Sequence, residues 1–120
     1  MKILAVDDSL AILMKVEMMV HKHFPGAIVV RAQSGHEGLE AWTSESPQVA
    51  ILDHHMPDIT GLEVAEKIRA EDSDVGILLL TADRNDSTQQ SCEALGVKYL
   101  LKKDMDDLPT HLAKLILGQA

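Results

Sequence analysis

An open parallel β-sheet with helices on both faces is the fold this chain predicts. Five short apolar runs of strand length recur along its 120 residues, each followed by capping signals or helical periodicity. The segments between them are a few residues long, with no linker, internal repeat or low-complexity stretch. Four of the five runs end in residues able to do chemistry, Asp7-Asp8, Asp53, Thr81 and Lys102.

Ile3 to Val6 is continuously apolar, as a parallel strand covered on both faces requires. Ser9 is placed to cap the helix that follows, with Ile12, Val16, Met19 and Val20 as its inward stripe. Phe24-Pro25-Gly26 breaks that helix, and Ile28 to Val30 is the second strand. Ser34 and Glu37 have the spacing of a capping box, opening a helix that carries Leu39, Ala41 and Trp42. Ser46-Pro47 stops it before the third strand, Val49 to Leu52. Thr60 and Glu63 form a second such box, leading a helix with Val64, Ala65 and Ile68 inward. Gly76 precedes the fourth strand, Ile77 to Leu80. Asp83 to Leu95 reads as a weak helix, its apolar positions being Cys92, Ala94 and Leu95 behind a polar run. Gly96 ends it, and Val97 to Leu101 is the fifth strand. The last helix is expected to start near Asp107, with Pro109 in its first turn and Leu108, Leu112, Leu115 and Ile116 inward.

A formal charge of -8 argues against nonspecific nucleic-acid or anionic-membrane binding, which Lys/Arg surplus recruits. The lone Cys92 excludes an internal disulfide and fits a reducing compartment. The apolar stretch at Met1 is too short for a secretory core, and nothing approaches a membrane span of roughly 20 apolar residues. A cytoplasmic protein is expected.

In open α/β sheets the ligand crevice lies outside the carboxyl ends of the strands. If the first, third, fourth and fifth strands are neighbours, Asp7, Asp8, Asp53, Thr81 and Lys102 meet there. A single aspartate after a strand is usually a turn or cap residue; the shared position of all five is what argues for a site. Three carboxylates repel one another and call for a cation, and an all-oxygen set suits Mg2+. Lys102 adds a compact charge and Thr81 a hydroxyl, so the set can hold the oxygens of a transferring phosphoryl group. Asp53 then reads as the phosphoacceptor, with Asp7 and Asp8 holding the metal.

These residues, together with Met56-Pro57, Gly61, Leu80-Thr81-Ala82 and Tyr99-Leu-Leu-Lys102, resemble the receiver domain of two-component response regulators over essentially the whole chain. The resemblance implies a flavodoxin-like, CheY-like (βα)5 fold of strand order 2-1-3-4-5, as one receiver domain over residues 1–120. It implies phosphorylation of Asp53 by a histidine kinase or phosphotransfer protein with Mg2+. Asp8, Asp53 and the backbone carbonyl of His55 would ligate the metal, with Asp7 assisting. Thr81 would shift toward the phosphoryl group and Tyr99 rotate behind it. The fourth helix, fifth strand and fifth helix would carry the output to a partner or effector domain. Such a switch catalyses only its own phosphorylation and dephosphorylation. Lys103 stands where the family usually has proline, so a trans peptide and a displaced loop are expected there. Gly96 to Tyr99 is one residue shorter than usual, and Leu13 replaces a frequent arginine.

Other readings rest on the residues themselves. The fourth helix has too little apolar surface to be held strongly, as suits a moving element. His55 and Asp83, two residues past Asp53 and Thr81, would flank the path of water and tune the lifetime of an acyl phosphate. Leu10, Met14 and Met18, with Leu13, lie beyond the first helix's core stripe and offer a docking face for a kinase's helical bundle or a second copy. Trp42 reads as packing and Cys92 as half-buried and inert. His54 and His55 lack the second ligand cluster that a transition-metal site needs. Two rival functions keep most of these features. A Mg2+-dependent phosphatase using an aspartyl-phosphate would turn over phosphomonoesters, and a phosphorylation-independent interaction module would not bind beryllofluoride with Mg2+.

Overall fold

Three of the apolar runs, Ile3 to Val6, Val49 to Leu52 and Ile77 to Leu80, bury their side chains on both faces and form the middle of one sheet, with the partly exposed second and fifth runs at its edges. The computed structural model describes residues 1–118, so the last two residues of the expected domain lie outside the described part. Its strands are β1 (Lys2–Val6), β2 (Ile28–Ala32), β3 (Val49–Asp53), β4 (Gly76–Thr81) and β5 (Lys98–Leu101). Its helices are α1 (Leu10–His23), α2 (Gly35–Glu45), α3 (Gly61–Glu71), α4 (Asp86–Leu95) and α5 (Leu108–Leu117). All strand pairs are parallel, in the order β2-β1-β3-β4-β5. This is the expected doubly wound arrangement, with β1 and β3 at the point where the strand order reverses. Among the described residues, no helix is long and apolar enough to cross a membrane.

Alternate strand residues feed two cores. Ile3, Ala5, Ile51, Leu78 and Leu80 pack with Leu13, Val16 and Val20 of α1 and Leu108 and Leu112 of α5. Leu4, Val6, Leu52, Ile77 and Leu79 pack with Val64, Ala65 and Ile68 of α3 and Cys92 of α4. Leu13 therefore belongs to the core, at 1% exposure, rather than to the extra face of α1. Its spacing from Val16 and Val20 sets the buried stripe, and Ile12 and Met19 are only partly covered on its flank. Leu10, Met14 and Met18 do face solvent, at 50%, 51% and 72% exposure.

The caps explain several boundaries. Thr60 and Glu63 make the full reciprocal box at the start of α3. Ser34 accepts from the Glu37 amide at α2, but the return bond is absent among the described residues. The first two amides of α2 are bonded instead by Asp58, from the loop after β3. α4 starts at Asp86 rather than Asp83 because Asn85 caps it, accepting from the Thr88 amide at 3.0 Å. Its C-terminus turns through Gly96, whose φ of 68° suits glycine. The Val97 amide then bonds the Cys92 carbonyl, so Val97 serves the helix cap and β5 begins one residue late, at Lys98.

α4 buries little beyond Cys92, which is wholly rather than half buried; burial pushes its thiol up to about 11. Ala94, expected among the apolar contacts, is exposed. Arg69 of α3 donates to the carbonyls of Leu95, Gly96 and Val75, tying down the C-terminal end of α4. Between β5 and α5 lies a 3₁₀ segment (Lys102–Asp107) that the sequence did not signal, anchored by buried Met105. Pro109 sits in the first turn of α5, and no cis peptide occurs among the described residues, so the Lys102–Lys103 bond is trans.

Candidate functional site

Among the described residues, the polar side chains the fold buries are Asp7, Asp53 and Thr81, at 3%, 3% and 2% exposure. All three sit at the carboxyl ends of strands, and the pairing brings them level. Val6 lies beside Leu52, Asp53 beside Leu80, and Thr81 beside Leu101. Asp7, Asp53, Thr81 and Lys102 thus each leave the sheet within one residue step of the neighbour on the adjacent strand. Burying two carboxylates is unfavourable without a partner. Lys102 supplies one, its Nζ lying 3.1 Å from Asp53 Oδ1 and 3.2 Å from Asp7 Oδ2. Despite the trans peptide and the 3₁₀ segment behind it, Lys102 stands where the sequence placed it.

One ammonium does not balance these charges. Asp8, exposed at the rim, offers a carboxylate oxygen within 4.8 Å of oxygens on Asp7 and Asp53. Burial, then the charge of Asp53, raises the Asp7 carboxyl above its ordinary value against the lowering effects of the Ser9 amide and Lys102. Burial alone would lower the Lys102 ammonium, but the bond and charge of Asp53, then Asp7, hold it higher. Asp7 Oδ1 accepts from the Ser9 amide at 2.9 Å, whereas its buried Oδ2 has no well-directed hydrogen bond even with Lys102 alongside. An oxygen-only cluster with a spare buried lone pair and surplus negative charge fits a hard divalent cation such as Mg2+.

A cleft of about 210 Å3 opens beside the carboxylates, lined by His54, His55, Thr81, Asp83, Asn85 and Tyr99 among others. His55 and Asp83 therefore do flank one opening. The sequence did not reveal how Thr81 and Tyr99 are joined. Both hydroxyls donate to the Asp83 carbonyl, at 3.5 and 3.2 Å, and the Asn85 amide donates to Tyr99 at 3.0 Å. The His54 and His55 rings meet edge to face, 4.9 Å apart. Burial, then the neighbouring His55, pushes the His54 imidazole down. Neither histidine joins a potential metal cluster among the described residues. A larger cleft at the other end of the sheet, near Ser46, Pro47 and Asp72, shows no such convergence.

Residues 3–115 match the family described as the response regulator receiver domain. The chain belongs to that family. The nitrate/nitrite response regulator protein homolog of Haemophilus influenzae is 30% identical to this receiver domain over 121 residues, 99% of this chain and 58% of that protein. A response regulator MprA of Mycolicibacterium vanbaalenii is 38% identical over 68% of this chain but only 34% of its own length. The receiver domain thus spans about a third to three fifths of these curated relatives. Among solved structures, response regulator TrrA of Thermotoga maritima, in complex with Mg2+ and BeF, is 34% identical with a TM-score of 0.83, covering 95% of this chain and 97% of that one. A CheY-like receiver domain protein from Methanospirillum hungatei gives 26% identity and a TM-score of 0.86, covering 98% and 95%. The protein is a CheY-like receiver of the two-component type, as its motifs implied.

Proposed function

We propose that this receiver is a phosphoacceptor switch in which Asp53 takes a phosphoryl group from a phosphohistidine of a kinase or phosphotransfer protein. The observation that carries this is the burial of Asp53 and Asp7 around Lys102, with Asp8 completing an acidic cluster. A carboxylate oxygen of Asp53 attacks phosphorus, the P–N bond to the donor breaks, and its electron pair returns to the imidazole, which takes up a proton. Asp8, Asp53 and the His55 backbone carbonyl would hold Mg2+, with Asp7 assisting. The ion supplies charge neutralisation for the phosphoryl oxygens. Lys102 follows the charge from the free carboxylate to a phosphoryl oxygen. Thr81 turns its hydroxyl toward the same group, leaving the Asp83 carbonyl, and Tyr99 follows. The altered α4–β5–α5 face then controls an output protein or effector domain. Residues 1–120 are taken as one receiver domain, acting in the cytoplasm and catalysing only its own phosphorylation and dephosphorylation. His55 and Asp83 set how readily water reaches the acyl phosphate.

Acetyl phosphate with Mg2+ is expected to add one phosphoryl group to the wild type and none to Asp53→Ala, read by intact mass. Failure of the wild type to gain it refutes the switch. In the same assay His55→Asn changes the phosphoryl half-life, and an unchanged half-life removes His55 from that role.

For the partner, the exposed Leu10, Met14 and Met18 face is proposed to dock the kinase's helical bundle. Met14→Glu should slow transfer from a phosphorylated kinase while leaving uptake from acetyl phosphate intact. A change of oligomeric state instead would assign the face to a second copy of this chain.

A further inference from the structure

We propose that Asp58 is a positioning residue, clasping the loop after β3 onto the N-terminus of α2 so that the His55 carbonyl is held in place for the metal. The inference rests on the reading of Asp53 and Mg2+ given above. Among the described residues, no hydrogen bond engages His55, Met56 or Pro57. The loop is fixed on either side of these three residues instead. At the near end the His54 amide bonds the Leu80 carbonyl at 3.3 Å, and the Gly61 amide bonds the His54 carbonyl at 3.0 Å.

At its apex Asp58 does the fixing. Its Oδ1 accepts from the Gly35 amide at 2.9 Å and the Ile59 amide at 2.8 Å, and its Oδ2 accepts from the His36 amide at 2.8 Å. The His36 imidazole stands 3.7 Å from Oδ2. A carboxylate on the first amides of a helix meets both its unpaired donors and the positive end of its dipole. The approach is close enough that a Cβ on Gly35 would overlap Ile59, so α2 has glycine where the loop leans on it. The His36 amide first, with those of Gly35 and Ile59 behind it, outweighs the opposing effect of burial and holds the carboxyl at about 2. This is a depressed acid, so its contribution is complete above the unfolded value of 3.8 and is lost as pH falls through about 2. The clasp is therefore charged throughout the neutral range.

Partners that orient a metal ligand typically change affinity by 10–100-fold when removed. Asp58→Ala and the shape-preserving Asp58→Asn should raise the Kd for Mg2+ by about tenfold, the low end because one ligand is affected. Uptake of phosphoryl from acetyl phosphate at saturating Mg2+ should be unchanged. In metal-free protein the Gly35 and His36 amides should exchange faster with solvent, by NMR. Ser34→Ala is the control, since it removes another α2 cap without touching the loop. It should loosen α2 and leave Mg2+ affinity unchanged. An unchanged Kd in the Asp58 variants, or an equal loss in Ser34→Ala, overturns the inference. If Asp58→Ala does not fold, Asp58→Asn decides. Failure of the wild type to bind Mg2+ or accept phosphoryl would instead bring down the underlying reading, and the inference with it.

Discussion

Replacing Lys102 by methionine is expected to slow phosphoryl uptake at Asp53 by about a hundredfold or more, while tightening Mg2+ binding to the unphosphorylated protein. The two effects have one cause. Lys102 Nζ touches Asp53 and Asp7 at 3.1 and 3.2 Å, so on the proposed reading it would compete with a divalent ion for the same oxygens. Methionine keeps the length and the apolar stem and removes the charge. What it cannot replace is the donor that, in the proposed reaction, would follow negative charge onto the transferred group. Arginine is a poor substitute, because its planar fork does not occupy the space of a point charge between two carboxylates. Loss of the ammonium also removes a lowering influence on the Asp7 carboxyl, already raised above 3.8 by burial and Asp53. For a raised acid the destabilisation is absent below the unfolded value and complete above the folded one. In Lys102→Met that window extends to higher pH, so metal-free protein should melt lower at neutral pH and recover on acidification or with added Mg2+. Acetyl-phosphate kinetics at saturating metal, a Mg2+ titration and melting curves against pH read these effects. Uptake at the wild-type rate would remove Lys102 from the reaction.

The site was legible because its chemistry interrupts a simple pattern. Unbroken apolar runs mark buried strands, so a carboxylate, hydroxyl or ammonium at their ends is conspicuous without any knowledge of contacts. Side-chain alternation and the shared exit from the sheet then leave few ways to arrange Asp7, Asp53, Thr81 and Lys102. What stayed hidden depends on packing between distant segments. Leu13 and the Ile12–Met19 flank are both compatible with a helical stripe, and only α5 and the sheet decide which is central. Cys92 looks half-buried in a polar helix until α3 closes over it. Asp58 acts 23 residues away, on amides that carry no sequence signature. The 3₁₀ segment reads as a polar loop, and Met105 alone betrays that it folds back onto the core.

These hidden contacts bear on how such a switch would move. The C-terminal end of α4 is held by Cys92 and by Arg69, whereas its N-terminal end rests on the Asn85 cap and the Tyr99 hydroxyl. Thr81 reaches that same end through the Asp83 carbonyl. A rearrangement started at Thr81 would therefore meet least resistance at the start of α4, where the helix buries least.

Gly61→Ala should be the most damaging small change away from the charged groups, lowering stability by about 3 kcal/mol, the upper part of the range for overpacking. For a domain of this size that corresponds to roughly 10 °C in melting temperature. Gly61 opens α3 directly beneath the end of β3, and an added methyl would overlap the Asp53 backbone carbonyl and reach the Leu79 side chain. The carbonyl cannot retreat cheaply, since β3 is buried throughout and Asp53 pairs with Leu80 of β4. The helix cannot back away either, because Thr60 caps it and the Gly61 amide is bonded to the His54 carbonyl. Space rather than backbone conformation imposes this glycine, as Gly96 is the glycine with positive φ among the described residues. Gly26→Ala separates the two explanations. Nothing lies within 4 Å of its added methyl, so it should leave stability unchanged or raise it by about 0.4–1 kcal/mol. Urea and thermal melts of both variants test the contrast. Because the displaced atoms belong to Asp53 itself, Gly61→Ala should also weaken Mg2+ binding, and wild-type melting and affinity in that variant would mean that α3 yields where the packing says it cannot.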